Sequence, residues 1–241
     1  MLSISGLEAA YGRAQILFGI DLALDPGEVL VLLGRNGAGK STTLKAIMGL
    51  LPPSAGSVTF DGHRIEGLPP HEIARLGLGY VPEDRRVFAG LTVMENLDVG
   101  RPPVRTRAPA WDEDKVFGLF PHLSELRHRR AGQMSGGEQQ MLTVARTLMG
   151  NPRCLLLDEP SEGLAPVVVD AMADAVLALK REGLAILLSE QNLRFALRVA
   201  DRAAIIEQGR IRFSGPVAAL AADESLARAY LAVSANTIRG K

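Results

Sequence analysis

Apolar and polar positions along the chain alternate with two different periods. Ile20, Leu22 and Leu24 interleave with Asp21 and Ala23 before Pro26-Gly27 turns the chain, the period-two pattern of a half-buried strand. Glu28 to Leu33 (EVLVLL) is a nearly continuous apolar run with branched residues, which predicts a strand buried on both faces. A glycine-rich segment follows it, and KSTTLKAIMGLL then reads as helix. Ser57 to Phe60 (SVTF), with Asp61-Gly62 behind it, predicts a strand and its turn.

From about Arg85 to Gly150 the pattern turns helical, around Thr92–Leu97, Lys115–Phe120 and Gly137–Leu148. A polar loop rich in Pro and Arg (RPPVRTRAP) separates the first two. Strands and helices then alternate again: CLLLD, Pro166–Arg181, LAILLS, Asn192–Ala200 and AAIIE. That alternation predicts a parallel sheet with crossover helices. The helical middle is then an insertion on an α/β core rather than a separate domain.

Composition narrows the class. With 241 residues, 47% hydrophobic and 22% charged, the chain is an ordinary folded protein near the upper size of a single core. Lys+Arg and Asp+Glu both number 27, so the basic excess that nucleic-acid binding draws on is missing and no nucleic-acid partner is expected. The one cysteine, Cys154, lies in an apolar strand pattern and is expected to be a buried structural thiol. The start, MLSISGLEAAYG, has no basic segment leading into an apolar one, so no secretory signal is expected. Apolar runs are of strand length, short of the ~20 residues that cross a bilayer. A cytosolic chain whose membrane role runs through a partner is the expectation. His63, His71, His122 and His128 lack metal-ligand spacing and read as surface residues. Arg127 to Arg130 (RHRR) reads as a solvated turn, and the polar tail after about Leu231 is too short for a regulatory domain.

Gly34 to Thr42 (GRNGAGKST, comprising Gly34, Arg35, Asn36, Gly37, Ala38, Gly39, Lys40, Ser41 and Thr42) is a full G-x-x-x-x-G-K-[ST] pattern between a strand and a helix. The glycines let successive N–H groups turn toward phosphate oxygens, and the following helix adds its positive end. Lys40 would reach the β- and γ-phosphates of ATP, and the Ser41 hydroxyl would ligate Mg²⁺. Further on, CLLLDE ends an apolar strand in two carboxylates. Asp158 would hold Mg²⁺, and Glu159 would act as general base on the attacking water. Ser135-Gly136-Gly137-Glu138 opens a helix with Met141, Val144, Ala145 and Leu148 on one face. Alone, the serine is a good helix cap; beside the other two motifs, Ser135 and the N–H groups of Gly136 and Gly137 become receivers for a second phosphate.

GRNGAGKST, MSGGEQQ and CLLLDEP, in this order and spacing, resemble the ABC transporter ATPases over essentially the whole chain. The resemblance implies an α/β fold of the P-loop NTPase (RecA-like) kind. It has a parallel-sheet core, an N-terminal antiparallel β subdomain and an inserted α-helical subdomain. It also implies a single ABC ATP-binding domain over 1–241, with core and β subdomain at about 1–84 and 151–241. The helical part, about 85–150, would carry the signature motif. Two such subunits would sandwich two ATP molecules, the signature of one meeting the γ-phosphate held by the other. The resemblance places Tyr11 as the aromatic residue stacked on adenine. Implied partners are a second ABC ATPase, identical or sister, and two membrane permeases. A periplasmic or extracellular solute-binding protein would act indirectly, and the chain would lie at the cytoplasmic face of the inner membrane.

Three positions depart from the common family pattern. Glu83 stands where glutamine is usual, SEGLAP lacks the usual loop aspartate, and Gln191 stands where a switch histidine is usual. With GLGYVPEDRRVFAGLTVMENL, DEPSEGLAP and SEQN, the chain resembles the LivF-type ATPases of branched-chain amino acid importers and, closely behind, those of urea and short-chain amide importers. Gln191 can donate a hydrogen bond to phosphate but cannot carry a proton near neutral pH, which leaves the base role to Glu159. By the resemblance Glu83 lies between the Mg²⁺ site, where it would contribute to metal binding and catalysis, and the permease-facing surface, and with Arg85, Arg86 and Phe88 would form that contact. Competing readings are a transport ATPase for another cargo, lipid export included, a non-transport ABC protein, and a small P-loop kinase. One cassette without sustained heptads disfavours the second of these, and the signature motif has no role in the third.

Overall fold

The computed structural model describes residues 1–101 and 111–222. The loop expected at 101–109 lies almost wholly outside them, and the tail after Leu231 entirely so.

The chain begins with β1 (Leu2–Tyr11), β2 (Ala14–Leu24), the buried β3 (Val29–Leu33) and α1 (Lys40–Ile47). Next come β4 (Ala55–Phe60), β5 (His63–Arg64), α2 (Pro70–Arg75) and β6 (Leu78–Val81). Four helices follow: α3 (Val93–Val99), α4 (Glu113–Leu119), α5 (Pro121–Glu125) and α6 (Gly136–Leu148). The remainder runs β7 (Cys154–Asp158), α7 (Pro166–Arg181), β8 (Ala185–Glu190), α8 (Leu193–Val199), β9 (Arg202–Glu207), β10 (Arg210–Pro216) and α9 (Val217–Ala222).

Two sheets form. One is antiparallel, in the order β2-β1-β4-β5, its β4–β5 turn carried by Asp61 and Gly62, both at positive φ as a tight hairpin requires. The other has the order β10-β9-β3-β8-β7-β6 and is parallel except for the hairpin to β10. Strands β3, β7 and β8 are buried along their whole length. Alternation sends Val29, Val31, Leu33, Leu155 and Leu157 to the face covered by α6 and α7. Leu30, Leu32, Cys154 and Leu156 go to the other face, against α1 and the antiparallel sheet. Each fully buried aliphatic side chain contributes about 1.5–3 kcal/mol, so the centre of the sheet is its least movable part. The loops leaving the carboxyl ends of these strands inherit that rigidity.

Gly209 joins the two sheets to the loop after β3. Its N–H donates to Ala38 O (2.9 Å) and its carbonyl accepts from Phe18 N (2.9 Å). At φ 71 a Cβ there would fall 1.8 Å from Ile16 O, so only glycine lets three backbones meet. Cys154 is fully buried, as expected, and burial pushes its thiol up to about 12.

Candidate nucleotide site

Loop 34–39 leaves β3 and turns into α1. Gly34 cannot carry a Cβ, which would lie 2.5 Å from Ile206 O. Gly37 and Gly39 adopt φ of 79 and 113, left-handed values that bend the loop inward. Thr43 Oγ1 donates to Gly39 O (2.8 Å) and pins the loop to the first helical turn. The first N–H groups of α1 have no intrahelical partners and sit at its positive end. Loop amides, helix end and Lys40 converge on one place, which suits a polyphosphate.

Lys40 is 3% exposed. Its Nζ donates to Gly34 O (2.8 Å) and Arg35 O (3.1 Å) and pairs with Glu159 Oε1 at 3.0 Å. Ser41 Oγ donates to Asp158 Oδ1 (2.9 Å), so the loop of one strand and the acidic end of another, 117 residues apart, are in direct contact. Asp158 is buried and accepts two more hydroxyl bonds, from Ser189 (2.7 Å) and Tyr80 (3.1 Å). Burial and the neighbouring Asp158 push the Tyr80 phenol well above its ordinary range, which keeps it a donor.

Glu159 sits at φ 46, a conformation a non-glycine residue adopts only when its surroundings fix it. Its N–H donates to both Ser189 O and Ser189 Oγ, each at 3.1 Å. Burial pushes its carboxyl up. Hydrogen bonds from Glu162, Gln191 and Lys40, with the Lys40 charge, win and hold it below the usual carboxylate range. Glu162 takes the opposite share: its bond to Glu159, then burial, then the Glu159 and Glu83 charges push it up to about 7. Gln191 Nε2 donates to Glu159 Oε2 (2.9 Å) and Asn36 Oδ1 (2.6 Å), closing a ring of loop, acid and strand end.

The expected residues do not all meet. Arg35, Asn36, Gly37 and Ala38 line a hollow with Ile206, Glu207 and Gln208. Exposed Glu83 borders a crevice of about 190 Å³ with Tyr80 and Asp158. Tyr11 is 49% exposed beside the β1–β2 turn, and Leu17 of β2 touches the loop where a Gly39 Cβ would stand. Ser135, Gly136 and Gly137 head α6. No hydrogen bond or ion pair among the described residues ties them to loop 34–42. Ser135 caps α6 in a reciprocal box, its Oγ accepting from Glu138 N and its N–H donating to Glu138 Oε2.

Sequence reasoning missed Tyr80, Glu162, Ser189 and Glu190. Buried Glu190 accepts from Ser161 N (3.0 Å), Gln191 N (3.1 Å) and Asn192 N (3.0 Å), tying the segment after Glu159 to the end of β8. The available signal was a polar pair, Ser-Glu, closing the apolar run LAILLSE.

A hydroxyl and a carboxylate 2.9 Å apart are hard oxygen donors of the kind Mg²⁺ takes. No cluster of three His, Cys, Asp or Glu exists among the described residues. An ion at Ser41 and Asp158 would therefore complete its shell with phosphate and water oxygens, as Mg²⁺ commonly does.

Comparison with known proteins agrees with this geometry. Residues 17–162, which include the loop, the α6 start, and Asp158 and Glu159 at the end of β7, match the ABC transporter family. The chain is 44% identical over 231 residues to the high-affinity branched-chain amino acid transport ATP-binding protein BraG of Pseudomonas aeruginosa, covering 96% of this chain and 99% of that one. It is 39% identical over 216 residues to the probable branched-chain amino acid transport ATP-binding protein LivF of Archaeoglobus fulgidus, covering 89% and 92%. The crystal structure of a nucleotide-free ATP-binding cassette from an ABC transporter superposes with a TM-score of 0.81 at 27% identity, covering 97% of this chain and 99% of that one. The chain belongs to the ABC transporter family, as one of its ATP-hydrolysing cassettes.

Proposed function

We propose that the chain is the motor of an importer for branched-chain amino acids, working as one of two cassettes at the cytoplasmic face of the inner membrane. The contact of Ser41 with Asp158, beside that of Lys40 with Glu159, carries the catalytic half of this reading. Lys40 and the loop N–H groups bind the β- and γ-phosphates of ATP, and Tyr11 stacks on its adenine. Ser41 and Asp158 would hold Mg²⁺, and Glu83 lines the same crevice as Asp158. The ion supplies charge neutralisation as the phosphates separate. Glu159 takes a proton from the attacking water, while Gln191 and Asn36 fix its direction. Ser135, Gly136 and Gly137 receive the γ-phosphate held by the second cassette, identical or sister. The helical segment of about 85–150 moves with that serine.

The identities of 44% and 39% to two branched-chain amino acid transport proteins support the cargo. No helix among the described residues is long and apolar enough to cross a membrane, so a transport role calls for permease subunits. Exposed Leu50, Phe88 and Val99 line a groove of about 460 Å³ with Arg86 and Arg146 at its edge. That composition suits a short apolar permease segment bearing an acid. Of the four residues expected at this contact, Arg85 turns instead toward Gly136 and Glu83 borders the neighbouring crevice with Asp158, leaving Arg86 and Phe88 on the groove. Phe88→Asp is expected to weaken permease capture by about 2 kcal/mol, roughly thirtyfold, in a co-purification titration. Unchanged capture would move the docking site elsewhere.

Reconstitution of the chain with two permeases and a solute-binding protein in ATP-loaded vesicles tests the whole reading. Labelled leucine is expected to accumulate only with ATP and Mg²⁺ inside. Uptake of urea or acetamide in its place would reassign the cargo, and no uptake of any of them would refute import.

A further inference from the structure

The head of α6 carries a carboxylate where an anion has to bind. Glu138 is the third residue of the helix, and its Oε2 is engaged with Ser135 N at 2.7 Å. A helix N-terminus is a favourable place for that negative charge. The same charge also repels an incoming phosphate at Ser135, Gly136 and Gly137, which are one to three residues away. Something has to offset it without displacing it.

His122, on α5, does both. Its Nε2 lies 2.8 Å from Glu138 Oε1 and its Nδ1 lies 3.2 Å from Glu125 Oε2. An ionised carboxylate only accepts, so two such contacts require both ring nitrogens to carry protons. The imidazolium is thus the form that fits. The titratable or charged groups facing this ring are Glu125 on its own helix and Glu138 on α6. Arg85 approaches the same helix head, a guanidinium nitrogen 2.6 Å from where a Gly136 Cβ would stand.

We infer that His122 is a positioning residue for the phosphate-receiving head of α6: through Glu138 it fixes the cap on Ser135 and cancels the carboxylate charge that would oppose a phosphate there. The ring is not itself in contact with substrate. Its bond to Glu138 outweighs partial burial and holds its proton above the ordinary value of 6.5. On Glu138, burial acts upward, and the Ser135 and His122 bonds more than offset it, so the carboxylate stays ionised. The folded chain binds the His122 proton more tightly than free imidazole does. The pin is therefore complete below pH 6.5 and is lost as pH climbs through the raised midpoint.

The functional half of this inference rests on the two-cassette reading above; the structural half does not. Nuclear magnetic resonance of the imidazole in the isolated chain reads the second. The His122 midpoint is expected above 6.5 and should fall in Glu138→Gln. An ordinary midpoint, or one unmoved by that change, overturns the pin. The ATPase pH profile of the assembled transporter reads the first. Activity is expected to drop about fivefold across the His122 titration in the parent. His122→Gln should be low at both ends with that limb missing, and His122→Arg, which keeps charge and donors, should restore activity at high pH. A His122→Gln profile equal to the parent's overturns the role. An assembled parent without ATPase activity overturns the proposed function and this role with it, even where the His122 titration comes out as expected.

Discussion

Lys40→Ala is expected to lower ATP affinity at least about a hundredfold, read by titration with a fluorescent ATP analogue. Lys40 Nζ is the only side-chain cation in hydrogen-bond contact with the loop carbonyls among the described residues, and it holds three partners at once. A hydrogen bond to a charged group contributes about 1.5–3 kcal/mol, and two such bonds to phosphate oxygens amount to roughly 10²–10⁴ in affinity. Alanine also leaves Glu159 buried beside an empty space. Breaking a buried ion pair from one side typically costs about 3–5 kcal/mol. Part of that is relieved here, because Gln191 still donates to Glu159 and Glu162 can share a proton with it. The variant should consequently fold but melt lower than the parent. ATP affinity within tenfold of the parent would mean that the loop amides alone hold the nucleotide, and the role of Lys40 would have to be abandoned.

Glycine spacing, a lysine and a strand-helix junction are local features, so loop 34–42 is legible in the amino-acid sequence itself. So are β3, β7 and β8, because strands buried on both faces leave uninterrupted apolar runs. Helix α7 runs from Pro166 to Arg181 as its pattern predicts, since a proline start and an apolar face mark both its ends. Elsewhere the ends slip: Thr92, expected inside α3, is its cap, and α6 begins at Gly136, one residue before the expected Gly137, behind the Ser135 cap. Short elements such as β5, α2 and α5 are under two turns or two pairs long and leave no period to read.

Within the site, what could not be read was contact across long separations. Tyr80 reaches Asp158 over 78 residues and His122 reaches Glu138 over 16, each from a strand or helix whose orientation only the packed fold decides. A histidine without ligand spacing is a surface residue on sequence grounds, and His122 is on the surface. Its meaning comes from two carboxylates, of which α6 supplies the closer. Glu162 is similar: in sequence it is one polar loop residue among several, and in the fold its place beside the proposed base pushes its carboxyl up to about 7.

The pairing of Glu159 with Glu162 bears on the second large effect. Glu159→Gln is expected to lower ATP hydrolysis by about 10²–10⁴, the usual size of a general-base contribution, while ATP retention stays within a few fold. The amide has the shape of the carboxylate and can still accept from Gln191, and Lys40 keeps its bonds to Gly34 O and Arg35 O, so the pocket should persist. What it loses is the capacity to take a proton, and Gln191, itself an amide, cannot replace it. The parent's pH dependence follows from the same groups. Glu159 lies below the usual carboxylate range, so it is ionised through neutral pH and its base function fails only on strong acidification. Glu162 keeps its proton up to about 7 and, while protonated, donates to Glu159; above that the donor is lost and Glu159 becomes a freer acceptor. The acid limb should therefore be present in the parent and missing from the residual rate of Glu159→Gln. Phosphate release by that variant within tenfold of the parent, measured in the assembled transporter with Mg²⁺ present, would show that the proton goes elsewhere. Glu162, the other carboxylate at the mouth of the loop, would then be the next residue to replace.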